Sequence, residues 1–249
     1  MYRLEVKNVS KSFAEKQVLQ QLKLHVAKHE IVSILGPSGV GKSTLFNIIA
    51  GLLAPCSGDI LLDGQSVLNQ PGHIAYMLQK DLLLAYKTVE ANVALPLILR
   101  GMKQKDALDS ARQLLAEFKL AKVSKSYPKD LSGGMRQRIA LLRTYLFSSN
   151  LLLLDEPFSA LDNFTKTEIH EWYLKAHQKL KLTTLFITHD IDEAIMLSNR
   201  IYIMNHNHQL HLIKLNKETL GHFKLSEAFL AYKKEITALL AEKQAGELQ

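Results

Sequence analysis

Eight consecutive residues, Gly36-Pro37-Ser38-Gly39-Val40-Gly41-Lys42-Ser43, hold three glycines, a lysine and a closing hydroxyl at the spacing G-x-x-x-x-G-K-S. Glycines let a loop wrap a phosphate chain without side-chain collision. Its N–H groups and the positive end of a following helix can then face the β- and γ-phosphates, while Lys42 adds a point charge and Ser43 an oxygen for Mg²⁺. The bland alternative is a chance Gly-rich turn. Context weighs against it: Ile31-Val32-Ser33-Ile34-Leu35 is a short apolar run, and Leu45, Ile48, Ile49 and Leu52 follow at helical spacing. That reads as strand, loop, helix.

Leu151-Leu152-Leu153-Leu154-Asp155-Glu156 supplies a second constellation, a buried strand delivering two carboxylates at its C-terminal end. Adjacent strand residues point to opposite sides, so both acids serve one site only if the backbone turns there. Asp155 would then face a Mg²⁺ shell, and Glu156 a water in line with the γ-phosphate. As ordinary strand-end acids they would instead cap Pro157 and the next helix. The third, Leu131-Ser132-Gly133-Gly134-Met135-Arg136-Gln137-Arg138, opens an amphipathic helix; by itself Ser-Gly-Gly there could be only an N-cap.

The elements that must position these groups are readable from period. Apolar residues alternate at Leu4, Val6 and Val9 and again at Leu22, Leu24 and Val26, predicting a small antiparallel sheet. Short apolar runs return at residues 151–154, 184–188 and 200–204 between helical patterns, so a parallel sheet flanked by helices is expected. Between Asp81 and Asn150 no strand is predicted. Ala107, Ala111, Leu114, Leu115 and Phe118 mark one amphipathic helix there, and Met135, Ile139, Leu142 and Leu146 another. Leu225, Phe229, Tyr232, Ile236 and Leu239 predict a packed helix in the tail. Trp172, near Ile169 and Ala176, reads as core.

The order of these motifs resembles that of ABC ATPases, over about Leu4 to Met204. LSGGMRQR is similar to the ABC signature and lies, as in that family, between the phosphate loop and the Asp155-Glu156 strand. The resemblance implies further roles. Phe13 in SKSF would stack on adenine, Gln79 in YMLQKD would be the Q-loop glutamine and a metal neighbour, Ser159 to Asp162 the D-loop, and His189 in ITHD the switch histidine. Gly36 to Ser43 with Thr44 would bind the nucleotide. Ser132, Gly133 and Gly134 would do so from a second copy, with ATP held between the phosphate loop of one subunit and the signature helix of the other.

The implied fold is α/β: a P-loop NTPase (RecA-like) parallel-sheet core with an N-terminal antiparallel β subdomain and an inserted α-helical signature lobe. The expected organisation is a single domain, with residues 1–80 and 151–220 as β subdomain and core, 81–150 as helical lobe and 221–249 as helical tail.

Length and composition narrow the class. A chain of 249 residues with 47% hydrophobic content can bury a real core. The lone Cys56 makes no internal disulfide, and the start lacks a signal-peptide pattern, so a cytoplasmic setting is expected. The longest apolar runs fall short of the ~20 residues that span a bilayer. The formal charge of +7 is scattered among acids rather than blocked, which reads as solvated surface with no nucleic acid expected.

No long coiled coil or CxxC module interrupts the lobe, as it would in DNA-repair relatives. The resemblance therefore implies a transporter motor, peripheral on the inner face of the cell membrane. Its partners would be membrane permease subunits and an extracytoplasmic solute-binding protein. DLLLAYKTVEANVALP, residues 81–96, looks like the segment that receives the permease, although Leu82, Leu83, Leu84 and Tyr86 could be lobe core. A single cassette with a short tail resembles bacterial importers of the nitrate, sulfonate, taurine and thiamine-precursor group. Where those often have Pro-Trp before Thr-Val, this chain has Ala85-Tyr86 ahead of Lys87-Thr88-Val89. A soluble ABC ATPase acting on DNA or another macromolecule stays open as the alternative. His206, His208 and His211 invite a metal reading, but a surface hairpin is simpler.

Overall fold

Alternation of apolar and polar residues makes the first two elements strands with one buried face. β1 (Tyr2–Phe13) buries Leu4, Val6 and Val9, and antiparallel to it β2 (Lys16–Ala27) buries Leu22, Leu24 and Val26. The computed structural model describes residues 2–148, 151–205, 210–216 and 226–241. β3 (Ile31–Leu35) is buried throughout, and the phosphate loop leads from it into α1 (Lys42–Ile49). That helix stops short of the predicted stripe: Gly51, one residue past the cap, takes φ +76, a left-handed helix stop that leaves Leu52 exposed instead of in the core. β4 (Ser57–Leu62) and β5 (Gln65–Ser66) complete an antiparallel sheet in the order β2-β1-β4-β5.

A strand that periodicity did not predict follows, β6 (Ala75–Met77), three residues long and so too short to display an alternation. Then come α2 (Val89–Leu99), α3 (Gln104–Glu117), α4 (Gly133–Phe147), β7 (Leu152–Asp155) and α5 (Asn163–Leu180). No strand lies among the described residues of the 81–150 stretch. The chain closes with β8 (Thr184–Thr188), α6 (Ile191–Leu197), β9 (Arg200–Met204), β10 (Leu210–Lys214) and α7 (Glu227–Ala241).

By contacts the chain forms two compact units, Met1–Ile74 with Thr183–Gln249, and Ala75–Leu182. In the first, β3 lies parallel between β8 and β9, while β10 pairs antiparallel with β9. Phe229 and Ile236 of α7 pack with Leu35, Ile195 and Ile203, and Tyr232 and Leu239 lie against that cluster. Leu225 lies outside the described residues.

In the second unit β6 and β7 run parallel, and the helices share a core of Val93, Ala107, Ala111, Leu115, Ile139 and Leu142. Met135, on the predicted stripe of α4, is exposed at its first turn.

Asn92, fully buried, organises the segment before α2. Its Oδ1 accepts from Leu84 N at 2.7 Å, and its Nδ2 donates at 3.1 Å to the carbonyls of Leu84, Lys87 and Thr88. Asn92→Ala strips these partners at once. It is expected to lower stability by about 2 kcal/mol, within the range for buried polar groups left unpaired. A thermal melt should show a drop of several degrees; an unchanged midpoint would contradict the bracing role. Nearby, buried Glu90 accepts from Arg112 Nε at 2.9 Å and Lys125 Nζ at 2.5 Å. The Arg112 hydrogen bond holds its carboxyl below the usual range despite burial. This pair therefore stabilises the fold above the ordinary carboxylate pKa and loses its contribution as pH falls through the lowered one.

Candidate functional site

Strand register brings the sequence-predicted groups together in each unit. In the first, Leu35 of β3 stands opposite Thr188 of β8, so the phosphate loop and His189 leave adjacent parallel strands at the same level. Gly36 is dictated by space, since a Cβ there would collide with the carbonyl oxygen of Met204. Gly41 takes φ +109, left-handed backbone open to glycine and costly for other residues. Lys42 is buried, and its ammonium donates to the carbonyls of Gly36 at 2.8 Å and Pro37 at 2.7 Å. The loop's own backbone thus holds the cation over the turn. Ser38, Gly39, Ser43 and His189 are exposed, Thr44 is half-buried and Val40 buried. Phe13, at the end of β1, is 47% exposed with Lys11 Nζ 5.1 Å from its ring centroid. It is a presented aromatic, not a core one.

The second unit has a matching register. Met77 pairs with Leu154, so Gln79 and Glu156 each stand two residues past this pair on neighbouring parallel strands. The backbone turns where two acids need it to: Glu156 sits at φ +45, a left-handed conformation rare for glutamate. Gln79 Nε2 donates to Glu156 Oε2 at 3.2 Å and to Ser159 Oγ at 3.4 Å, and Ser159 Oγ donates to the Glu156 carbonyl at 3.1 Å. Asp155 Oδ2 accepts from the Tyr76 hydroxyl at 3.2 Å. Burial and the neighbouring Asp155 charge push the Tyr76 phenol far above its usual range, so it stays a donor.

The signature turn belongs to this unit too. Exposed Ser132 caps α4 by accepting from Met135 N at 3.3 Å. A Cβ on Gly134 would stand 2.9 Å from Thr165 Cγ2, and one on Gly133 3.3 Å from Leu161 Cδ2, so the turn packs against the segment around Asp162. Asp162 caps α5, accepting from Phe164 N at 3.1 Å and Thr165 N at 3.0 Å. The Thr165 N–H bond in particular holds its carboxyl below the usual range. Among the described residues, no hydrogen bond joins Ser132 to Gln79 or Glu156.

Sequence reasoning missed Tyr76 and Asn92, and it gave Ser159, placed in the D-loop by resemblance, no bond to Gln79. Tyr76 lies on the strand too short to be predicted, and Asn92 works through loop carbonyls that have no sequence signature. The histidine group divides: His206 and His208 lie outside the described residues, while His211 Nε2 meets Asn205 Nδ2 at 3.2 Å on the β9–β10 hairpin. Among the described residues, no three His, Cys, Asp or Glu side chains are grouped to hold a metal. No helix among them is long and apolar enough to cross a membrane.

The sequence profile of the ABC transporter family matches residues 19–159. The chain belongs to the ABC transporter ATP-binding family. This ABC ATPase is 40% identical over 238 residues to the aliphatic sulfonates import ATP-binding protein SsuB of Bacillus cereus, covering 94% of each chain. It is 42% identical over 233 residues to the formylaminopyrimidine import ATP-binding protein ThiZ of Halalkalibacterium halodurans, covering 91% of each.

Among solved structures it is similar to an ATP-binding cassette captured as a dimer in a post-hydrolysis state with ADP and Pi. There the TM-score is 0.72 and the identity 30%, over 86% of this chain and 99% of that one. The ABC ATPase is thus an ATP-binding, ATP-hydrolysing subunit with the P-loop NTPase fold. These relatives lend nothing to the reading of a DNA-acting ATPase.

Proposed function

We propose that this subunit drives import of a small solute through separate permease subunits, hydrolysing ATP between two copies arranged head to tail. The observation that carries the catalytic part is the pairing of Gln79 with Glu156 at 3.2 Å, on a residue whose backbone has left the extended conformation. A carboxylate held this way is fixed in orientation, as a general base must be. In this reading the loop N–H groups and Lys42 bind the phosphates, Phe13 stacks on adenine and Glu156 orients and deprotonates the attacking water. His189 contacts the γ-phosphate, and the second copy's signature turn closes over it with the positive end of α4.

Ser43 hydroxyl, Asp155 carboxylate and Gln79 carbonyl are each hard oxygen donors of the kind that suits Mg²⁺; the Gln79 amide nitrogen is already engaged with Glu156 and Ser159. The chemistry these residues would gain from bound Mg²⁺ is neutralisation of phosphate charge. Removal of ATP's bridging charges on hydrolysis would let the dimer reopen, a two-state element that permeases can use. The import names of the 40% and 42% identical relatives support the direction, and the dimeric cassette supports the second copy. Such a subunit would sit on the inner face of the cell membrane, with a solute-binding protein outside.

The segment braced by Asn92 supports a permease contact. Tyr86 is 75% exposed and Leu82 52%, apolar surface on a fixed backbone. Tyr86→Ala with Leu82→Asp should cut co-purification of the permease by at least ten-fold while ATP binding persists. Undiminished co-purification and transport would place the contact elsewhere.

A further inference from the structure

Within the second unit a cleft of about 340 Å³ opens among the end of α3, α4 and α5, and no residue assigned above to nucleotide chemistry lines it. Its inner lining is aromatic. Phe118 is buried, and Trp172 meets it edge-on with ring centroids 5.6 Å apart. Arg138 lays its guanidinium over the Trp172 ring at 5.6 Å from the centroid. Among the described residues, neither Arg138 Nε nor Trp172 Nε1, both buried, has a hydrogen-bond partner. Among the described residues, no carboxylate is paired with Arg138. The outer lining is exposed and of mixed sign: Lys179 pairs with Glu117 at 2.9 Å, and Lys119, Lys175, Glu168 and Glu171 stand in solvent.

These observations specify a complement. Exposed rim charges are screened by water and select weakly. A half-buried guanidinium without an anion, beside an indole N–H without an acceptor, is costly, and both unmatched groups are donors. Stacking on Trp172 occupies the face of the guanidinium, whereas its N–H edge is the part that takes a carboxylate or sulfonate in a two-pronged hydrogen bond. The half-buried Trp172 suits a flat ring, with buried Phe118 packed edge-on against it and Lys179 Nζ 5.3 Å from the Phe118 ring centroid, and the volume falls within the range of small-molecule sites.

We infer that this cleft binds a small, flat aromatic monoanion, its ring against Trp172 and its acid group on the edge of Arg138. The inference does not depend on the roles proposed for Lys42 and Glu156.

Trp172 is the chain's only tryptophan, so the ¹⁵N-labelled full-length protein gives one indole N–H signal, located in the cleft. The probes are 2-naphthoate and its neutral counterpart 2-naphthamide. Naphthoate should shift the indole signal saturably and bind at least ten-fold more tightly than the amide. Arg138→Gln should abolish that preference, and Arg138→Lys should retain part of it. Equal affinity of the two probes for the wild-type protein, or a shift that does not saturate, overturns the inference without reliance on any variant. So does a preference that survives Arg138→Gln.

Discussion

Glu156→Gln should slow hydrolysis by about 10²–10⁴-fold, the usual contribution of a general base, while leaving ATP bound. The amide keeps the size and reach of the carboxylate and can still hydrogen-bond to Gln79, so the orientation fixed at 3.2 Å need not be lost. What disappears is the basic oxygen. Because the change acts on the chemical step and not on ground-state binding, kcat should fall with ATP affinity maintained. Single-turnover measurements separate these quantities. Wild-type turnover, or failure to bind ATP, would contradict the role given to Glu156.

Lys42→Ala should abolish detectable hydrolysis and also weaken ATP binding, which distinguishes it from the Glu156 variant. The ammonium is buried and held by the Gly36 and Pro37 carbonyls at 2.8 and 2.7 Å, a cation fixed on the loop before phosphate arrives. Hydrogen bonds to charged groups contribute about 1.5–3 kcal/mol each, so one lost contact corresponds to roughly ten- to a hundred-fold in affinity. The effect on rate is larger, because the same charge faces the transferring phosphoryl oxygens in the transition state. Equilibrium nucleotide binding and steady-state turnover test the two parts. Turnover near wild type would remove the phosphate-loop assignment.

The features legible in sequence were those whose chemistry demands a residue type at a fixed spacing. The phosphate loop is one: Gly36 has no room for a Cβ beside Met204, and Gly41 sits in left-handed backbone. Long alternations and helical stripes located β1, β2, α3 and α7 for the same reason, since burial of one face imposes a period. Features set by tertiary contact were silent. β6 is three residues long, yet its register with β7 brings Gln79 level with Glu156. Asn92 looks like an ordinary polar residue in an apolar helix until its four bonds to the preceding segment are seen. Leu52 and Met135 fit their stripes and are nevertheless exposed, because a glycine stop ends one helix and the other presents its first turn outward. Trp172, read as core, does pack against the helical core, and it also lines a cleft.

Sedimentation of the Glu156→Gln protein with ATP and Mg²⁺ tests the central claim most directly, because hydrolysis no longer dissolves the closed state. The head-to-tail account predicts a dimer that forms with ATP, is absent with ADP, and is lost when Ser132→Arg is added, since a bulky cation would then occupy the seat of the partner's γ-phosphate. A protein that stays monomeric with ATP, or a dimer indifferent to Ser132→Arg, would contradict it.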